Sequence, residues 1–600
     1  MKNFKKKKDK NSRPADAGAL RSGKYNRYFF LLLLFVISAL YFIIFGSHIF
    51  YYQENQSLFI YSWDYFREFA VRPGGLLEYA GNFIAQGYYN PVTGSLILSS
   101  LITIPASVFL RIGRKIVPEV PLRIPYAVLP SCVLMLFSTD FNFHIVNNLG
   151  FLAVSACFLL LIDPAKKIKV FPFLVLFPLF YYVAGAFVWI IAGMYVVYCL
   201  INRNIIVPLF VLIIAIVTVV VFKNILFLQP LDEILSGPLP SKELFRHPFL
   251  LFILYGLFVL SPLILKSTSL LKINKTNAVT LSTYSGLLIF AVTIFGLSRL
   301  YNPEFENFFR LEKMFCRREW GEVIKFQEKI GMKNLIAQYY YNISLAEKDL
   351  LCDRMFNSNQ DYGTNSIMLQ WDSKVNINQI FRGAYFFYTI GLINEAHRWA
   401  YESMVVQGFR PENLKMLIKT ELISRHYKMA GKYINILKKT MNYRNLAKKY
   451  EKMAGNPELI EADPELGGKR KLLPVKDFIV KLKNQQENVL LLLQANPGNR
   501  QAFEYMMAWF MLERNVDNVC NEIQKMKGMG YTRLPRHIEE AAVWYSSYSG
   551  RLPDLGGLKI SDETIKRFAE YRRAASQTDP GKGNIKKISG NTFWYYLEFR

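Results

Sequence analysis

Apolar residues fall in nine long stretches before Tyr301, at 28–50, 92–110, 121–138, 145–162, 169–183, 185–201, 205–227, 248–265 and 278–300. A helix needs about 20 apolar residues to cross a bilayer, so these stretches predict a polytopic α-helical membrane domain over 28–300. After Tyr301 no stretch of that kind occurs. The fold expected is therefore all-α, with a basic cytoplasmic tail over 1–27, nine spans, and a water-soluble half over 301–600. Stretches five and six share one apolar block around Ala184-Gly185, and read as one bent segment they would reverse everything downstream. The run 28–50 is too long for a signal-peptide core and is not followed by a small-residue cleavage site, so it is read as an uncleaved first span.

Charge orients the spans. Arg111, Arg114, Lys115 and Arg123, then Lys166, Lys167 and Lys169, then Arg203, then Lys266, Lys272 and Lys275 stand in alternate loops. The opposite loops near 139–144 and 184 hold neither Lys nor Arg, and in 228–247 Lys242 and Arg246 are offset by Asp232, Glu233 and Glu243. Positive loops stay inside, which predicts two separate helices at 169–201. It also predicts a cytoplasmic Met1, a plasma-membrane location and an extracytoplasmic second half.

The second half shows helix–turn–helix spacing. In 381–408, RGAYFFYTIGLINEAHRWAYESMVVQGF, small or aromatic residues recur at Ala384, Tyr388, Gly391, Ala396, Trp399 and Ala400. Ala430, in the next pair at 412–440, follows Ala396 by 34 residues, the tetratricopeptide period. A third pair lies at 497–524, with weaker ones at 306–330, 334–356 and 535–575. Residues 357–378 read as an insert, and Gly467-Gly468 among prolines predicts a break near 454–474. Such arrays stack to bury their apolar faces, giving a solenoid and a surface for a protein partner.

The formal net charge of +27, with 52% hydrophobic and 15% aromatic residues, suits a chain that is half membrane-embedded. Basic residues flanking spans account for the excess, so lipid headgroups rather than nucleic acid are the expected anionic neighbours. Lys428, Lys432, Lys438, Lys439, Arg444, Lys448 and Lys449 form a further basic run, read first as a solvated face and second as a headgroup contact. The six cysteines include no CxxC pair and read as thiols, a Cys316–Cys352 disulfide being the alternative outside the cytosol. No P-loop, HExxH or GxSxG motif occurs.

Chemistry, if any, belongs to the long first outer loop (51–91), whose Pro73-Gly74-Gly75 turn separates two short interfacial helices. Leu76, Leu77, Ala80, Phe83, Ile84 and Tyr88 are expected on one face of the second. The loop carries Asp64, Arg67, Glu68, Arg72 and Glu78; the next outer loop carries Asp140, His144, Asn147 and Asn148. Acids at the edge of hydrocarbon need partners or a wet cavity. Asp64 and Asp140 are the catalytic candidates, as general base or as oxygen ligands to a divalent cation. Arg67, Arg72, Glu68 and His144 are the substrate-binding candidates, the arginines for a phosphate. The plainer reading pairs Asp64 with Arg67 or Arg72, and makes Asp140 a helix cap.

This layout, with WDYFR and STDFNFH in its first two outer loops, resembles the GT-C class of integral-membrane glycosyltransferases. The resemblance implies transfer of a sugar from a polyprenyl-phosphate carrier. That class often pairs two acids in the first loop, where this chain has Asp64 with Glu68. Over its whole length, through SWDYF, PGGLLEY, FCRREWGEVI, DRMF and GLINEAHRWAYESM, the chain resembles an uncharacterised family of bacterial polytopic membrane proteins with a tetratricopeptide-like tail. The alternative to a transferase is a non-enzymatic, membrane-anchored scaffold for envelope assembly.

Overall fold

The computed structural model describes residues 14–117, 122–162, 170–241, 245, 248–271, 273–370, 377–481, 484–576 and 582–599. Residues 1–13 of the basic tail, Lys166, Lys167, Lys169, Lys242, Arg246 and Lys272 lie outside them, as do residues 371–376 of the insert. Among the described residues the secondary structure is helical and no strand occurs. The chain divides into two units, Met1–Glu306 and Asn307–Arg600.

The first unit comprises α1 (Pro14–Phe45), α2 (Ser47–Gln56), α3 (Trp63–Ala70), α4 (Gly75–Ala85), α5 (Pro91–Ile116), α6 (Arg123–Phe137), α7 (Ile145–Leu161), α8 (Val170–Ala184), α9 (Val188–Ile201), α10 (Ile206–Val221), α11 (Leu231–Ser236), α12 (Phe249–Val259), α13 (Ser261–Ser269) and α14 (Lys275–Leu300). Five segments are long and apolar enough to cross a membrane: Asn26–Phe45, Pro91–Ile116, Phe171–Ile201, Ile206–Phe227 and Asn277–Leu300. The pair α12–α13, bent by 55°, makes a sixth if taken as one span. By length and apolarity alone these are fewer than the nine expected. The helices at 123–137 and 145–161 are too short on this measure, and the first expected span stops at Phe45, with Gly46 separating it from α2.

Phe171–Ile201 is continuous by length alone, but its rings show that it turns back on itself. Phe173 stacks on Tyr195 with centroids 5.0 Å apart, and Phe177 meets Trp189 at 6.0 Å. In an unbroken helix, Phe173 and Tyr195 would stand about 33 Å apart along the axis. The reversal occurs at Gly185, where φ is +58°. A β-carbon there would overlap Gly237 O and would lie 3.1 Å from Gly74 Cα, so only glycine fits.

The connections gather at two ends. At one, Gly74 N donates to Tyr182 O and Ala186 N to Gly237 O, each at 2.9 Å. At the same end Gln53 donates to Phe141 O and Phe143 O and accepts from Ile145 N, while Phe141 packs on Phe305. At the other, Lys115 donates to Leu159 O and Ile162 O, Ser282 accepts from Ile124 N, and Asn26 reaches Thr283. The buried aromatic and aliphatic core lies between the two ends, around Phe109, Phe151, Phe158, Tyr195 and Phe258.

The second unit contains most of α15 (Pro303–Cys316), then α16 (Trp320–Ile330), α17 (Leu335–Ala346), α18 (Leu351–Arg354), α19 (Ile377–Ile390), α20 (Ile393–Gln407), α21 (Pro411–Ile423), α22 (Tyr427–Lys438), α23 (Arg444–Gly455), α24 (Glu458–Ala462), α25 (Leu466–Lys471), α26 (Gln485–Ala495), α27 (Arg500–Leu512), α28 (Val516–Glu522), α29 (Arg536–Ser549), α30 (Asp562–Ser576), α31 (Lys582–Ser589) and α32 (Phe593–Phe599). Among the described residues, five helix pairs close through one and the same turn. Its left-handed residue is Arg318, Asp349, Gly391, Arg425 or Arg514. In each, the next N–H bonds the carbonyl five residues back: 319 to 314, 350 to 345, 392 to 387, 426 to 421 and 515 to 510. The expected pairs at 381–408 and 412–440 are thus present, with Ala384, Ala396, Trp399, Ala400 and Ala430 all buried.

The stretch read as a break holds the short helices α24 and α25 and is tied to neighbouring helices. Buried Lys469 donates to Glu347, to Thr389 O and to Gln501, and Arg470 donates to Ile423 O and Leu422 O. Every Lys469 proton has a partner, which is the condition under which a buried charge is tolerated. All six cysteines are reduced thiols, so the Cys316–Cys352 disulfide does not form.

Candidate functional site

The connection 51–91 is ordered by local packing. Ser62 caps α3 by accepting from Tyr65 N at 3.3 Å. Phe59 sits at the centre of a ring cluster with Tyr61, Tyr65, Tyr79 and Phe83. Gly74, at φ +78°, turns the chain into α4, and Asn90 caps α5 with Pro91 in its first turn.

The buried face of α4 is Leu77, Gly81, Ala85 and, just beyond, Tyr88. This differs from the face expected: Leu76 and Ala80 are half-buried and Phe83 is exposed. The reason is a close helix crossing. A β-carbon on Gly81 would overlap Val146 Cγ2 and lie 3.3 Å from Val146 Cα, so α4 rests on the first turn of α7. Contact with protein rather than with lipid therefore decides which residues of α4 are covered.

That crossing forms one wall of a cavity of about 410 Å³. Glu78 and Asn82 of α4, Gln53 and Gln56 of α2, and Asn142, His144 and Asn147 at the start of α7 supply its polar surface, and 238–241 closes it. The described lining is rich in carboxamides and holds one carboxyl and one imidazole; no Lys or Arg is among it. Each carboxamide both donates and accepts, a pairing suited to hydroxyl groups. Gln53 is spent on structure, bonding the backbone of Phe141, Phe143 and Ile145.

His144 stands at the N-terminus of α7, and its ring makes no hydrogen bond among the described residues. Burial alone pushes its pKa below the usual histidine value, so the neutral imidazole prevails at pH 7. Glu78 is ion-paired with Arg72, yet burial outweighs the guanidinium and raises its carboxyl above the ordinary range. Arg72 Nε has no hydrogen-bond partner among the described residues.

The other candidates are dispersed. Asp64, Arg67 and Glu68 are exposed on α3 and do not occur among the described lining residues. Asp140 accepts from Asn142 N at 2.9 Å, closing a turn, and its pKa is raised by burial. Of the six predicted residues, His144 lines the cavity and Arg72 reaches it through Glu78; Asp64 and Asp140 are not brought together within it. Sequence reasoning missed Glu78, Asn82, Gln53 and Gln56 as site residues. The signal available was the i, i+4 pair Glu78–Asn82, polar on an otherwise apolar helix. Among the described residues no group of three or more His, Cys, Asp or Glu is placed to hold a metal ion.

A second buried cluster looks catalytic and is structural. His537 Nδ1 meets Glu540 at 2.9 Å, but its Nε2 already accepts from Phe356 N. Glu540 also binds Arg536, Arg567 and Phe593 N, so every group faces protein.

Residues 24–600 match a protein family described as a family of unknown function (DUF6057), and the chain belongs to that family. No curated protein and no solved structure matches the chain.

Proposed function

As the premise for a member of a family of unknown function, we propose that this is a multi-pass membrane protein which transfers a hydroxyl-rich group, a sugar, from a lipid phosphate carrier in the cavity beneath its first outer loop. The observation that carries this reading is the cavity itself: an amide-lined chamber with a neutral imidazole that makes no hydrogen bond among the described residues, at the end where Gly74, Phe141 and Gly237 meet their neighbours.

Nine crossings are proposed for the first unit, counting α12–α13 as one. The two-ended gathering of its connections supports this, as does the hairpin at Gly185. Arg111, Arg114, Lys115 and Arg123 stand at the end opposite the cavity, which by the positive-inside rule is cytoplasmic. The cavity and the second unit then face outward.

In the proposed reaction the acceptor hydroxyl attacks the sugar carbon bonded to phosphate. His144, neutral at pH 7 and so able to accept, takes the hydroxyl proton as general base. The carbon–oxygen bond to the carrier breaks and the lipid phosphate leaves. Asn82, Asn147 and Gln56 hold sugar hydroxyls, Glu78 sets the position of Arg72, and Arg72 meets the phosphate. Asp64 and Asp140 take no part in this scheme.

The test is complementation in cells lacking the native copy. His144→Ala and Glu78→Gln, at matched abundance, are expected to abolish the envelope-glycan product, whereas Asp64→Asn leaves it unchanged. A normal glycan profile with His144→Ala overturns the assignment.

The repeated turn of the second unit favours a companion reading, that its helix pairs form a tetratricopeptide-like surface recruiting a partner. Deleting 307–600 while retaining the membrane unit separates the two: loss of crosslinked protein with retained glycan product would assign recruitment to the second unit.

A further inference from the structure

Charge in the second half is concentrated in one place. Residues 301–600 hold 46 Lys/Arg against 34 Asp/Glu, a net +12; residues 427–455 alone hold eight basic side chains and one acid, a net +7. Those residues are α22, α23 and the turn between them, two helices that pack side by side. Their inner faces are apolar, through Ala430, Tyr433, Ile434 and Leu437 on α22 and Ala447, Tyr450 and Met453 on α23. Their outer faces are basic. Lys428 and Lys432 on α22, Lys439 in the turn, and Lys448 and Lys452 on α23 are exposed. None of these five pairs with a described acid. Lys438 and Lys449 are neutralised at the edge by Glu451 and Asp463. Met429 and Met441 lie exposed within the same surface, 40% and 59% accessible.

We propose that α22–α23 is a docking surface for the anionic headgroups of a lipid bilayer. Three features select lipid over other polyanions. The basic residues are spread over two adjacent helices and their turn rather than gathered at one point. Exposed thioether side chains among ammonium groups can enter the boundary between headgroups and chains. The chain's own apolar helices hold it at a bilayer, so the effective headgroup concentration is high without any diffusional encounter. Lysines near an anionic leaflet contribute additively, and the attraction fades within a Debye length. The inference stands whether or not the cavity is a transferase site.

The full-length chain is reconstituted in nanodiscs of phosphatidylcholine, which leaves the surface unoccupied. It is then mixed with sedimenting vesicles of phosphatidylcholine, with or without about one third phosphatidylglycerol. Co-sedimentation is expected only with the anionic vesicles, and is expected to fall at high salt. Lys428→Gln, Lys432→Gln, Lys448→Gln and Lys452→Gln together should weaken it roughly a hundredfold or more. The same four changed to Arg should retain it, which guards against a folding defect. A control set of exposed lysines, Lys333, Lys348, Lys559 and Lys566 changed to Gln, should retain it too. Equal loss in the control set would overturn the proposal. So would unchanged sedimentation of the patch variant, or wild-type binding to a short DNA duplex but not to anionic vesicles.

Discussion

Gly81 and Val146 set the distance between α4 and α7, and a double-mutant cycle measures how firmly. Alanine in place of glycine inside a helix is favourable by about 1 kcal/mol on propensity alone. Here the added methyl would overlap Val146 Cγ2 and press within 3.4 Å of Val146 Cβ. A β-branched side chain has little rotameric freedom with which to yield. Overpacking of this kind costs about 1–3 kcal/mol, so Gly81→Ala is expected to be net destabilising by about 1 kcal/mol. In a Val146→Ala background the obstructing methyl is gone, and the same substitution becomes favourable by about 1 kcal/mol. The coupling energy is therefore about 2 kcal/mol, and the sign reverses between backgrounds. Equilibrium unfolding of the four purified proteins in matched micelles gives the cycle. Product formation should follow it, because a displaced α4 carries Glu78 and Asn82 away from His144. An effect of Gly81→Ala that agrees in the two backgrounds within about 0.5 kcal/mol would refute the close crossing.

Other consequences are equally measurable. Burial raises Glu504 to about 7, so the unfolded carboxyl ionises first as pH rises from its ordinary value. Stability of the second unit should then fall by about 3 kcal/mol between pH 4.5 and 7 and level off above. Glu504→Gln should flatten that slope in urea titrations across the range. Glu540, held at about 2 by His537 and Arg536 against the desolvation that opposes them, contributes in the opposite sense. Its stabilisation, about 3 kcal/mol, is present above pH 4.5 and vanishes as pH falls toward 2. Glu540→Ala should release α32 to proteolysis at neutral pH, since Phe593 N and the Arg567 guanidinium lose their acceptor. Gly391→Ala places a side chain at φ +88° against Leu472 Cβ and O, and should lower the unfolding midpoint more than Gly431→Ala, where the space is open. Native-state alkylation should mark Cys316 before Cys352, which is buried and turned toward Glu504 O.

Much of the architecture was readable from the chain because hydrocarbon burial depends on runs of residues. Apolar runs gave helices at every expected position, and Pro73-Gly74-Gly75 gave the turn into α4. Length was less readable, because a helix ends where its neighbours and caps end it. Gly46 separates α1 from α2 inside the expected first span, four residues before its end. The face of α4 was misjudged for a related reason. Amphipathic spacing ranks residues by affinity for a generic apolar medium, whereas Gly81 is covered through its lack of a side chain. The recurring turn was hidden because Arg318, Asp349, Arg425 and Arg514 occupy a backbone conformation usually marked by glycine. The cavity draws on three separate connections, so no local pattern could announce it. His144 was legible as a polar group between two apolar runs. Gln53 and Gln56 were not, because carboxamides at helix ends are common.

The helix hairpin at Gly185 has a consequence for the lipid around it. With 15 residues in α8 and 14 in α9, each arm is about 22 Å long. The hydrocarbon core they would cross is about 30 Å thick. Such mismatch is relieved by local thinning of the bilayer. The tip of the hairpin lies against Gly74 and Gly237, beside the residues that close the cavity. On the proposed transferase reading, a leaflet drawn inward there would lower carrier headgroups toward Glu78 and His144 along the flank of the protein. Adding one apolar turn to each arm should therefore restrict access to the chamber while leaving its walls intact.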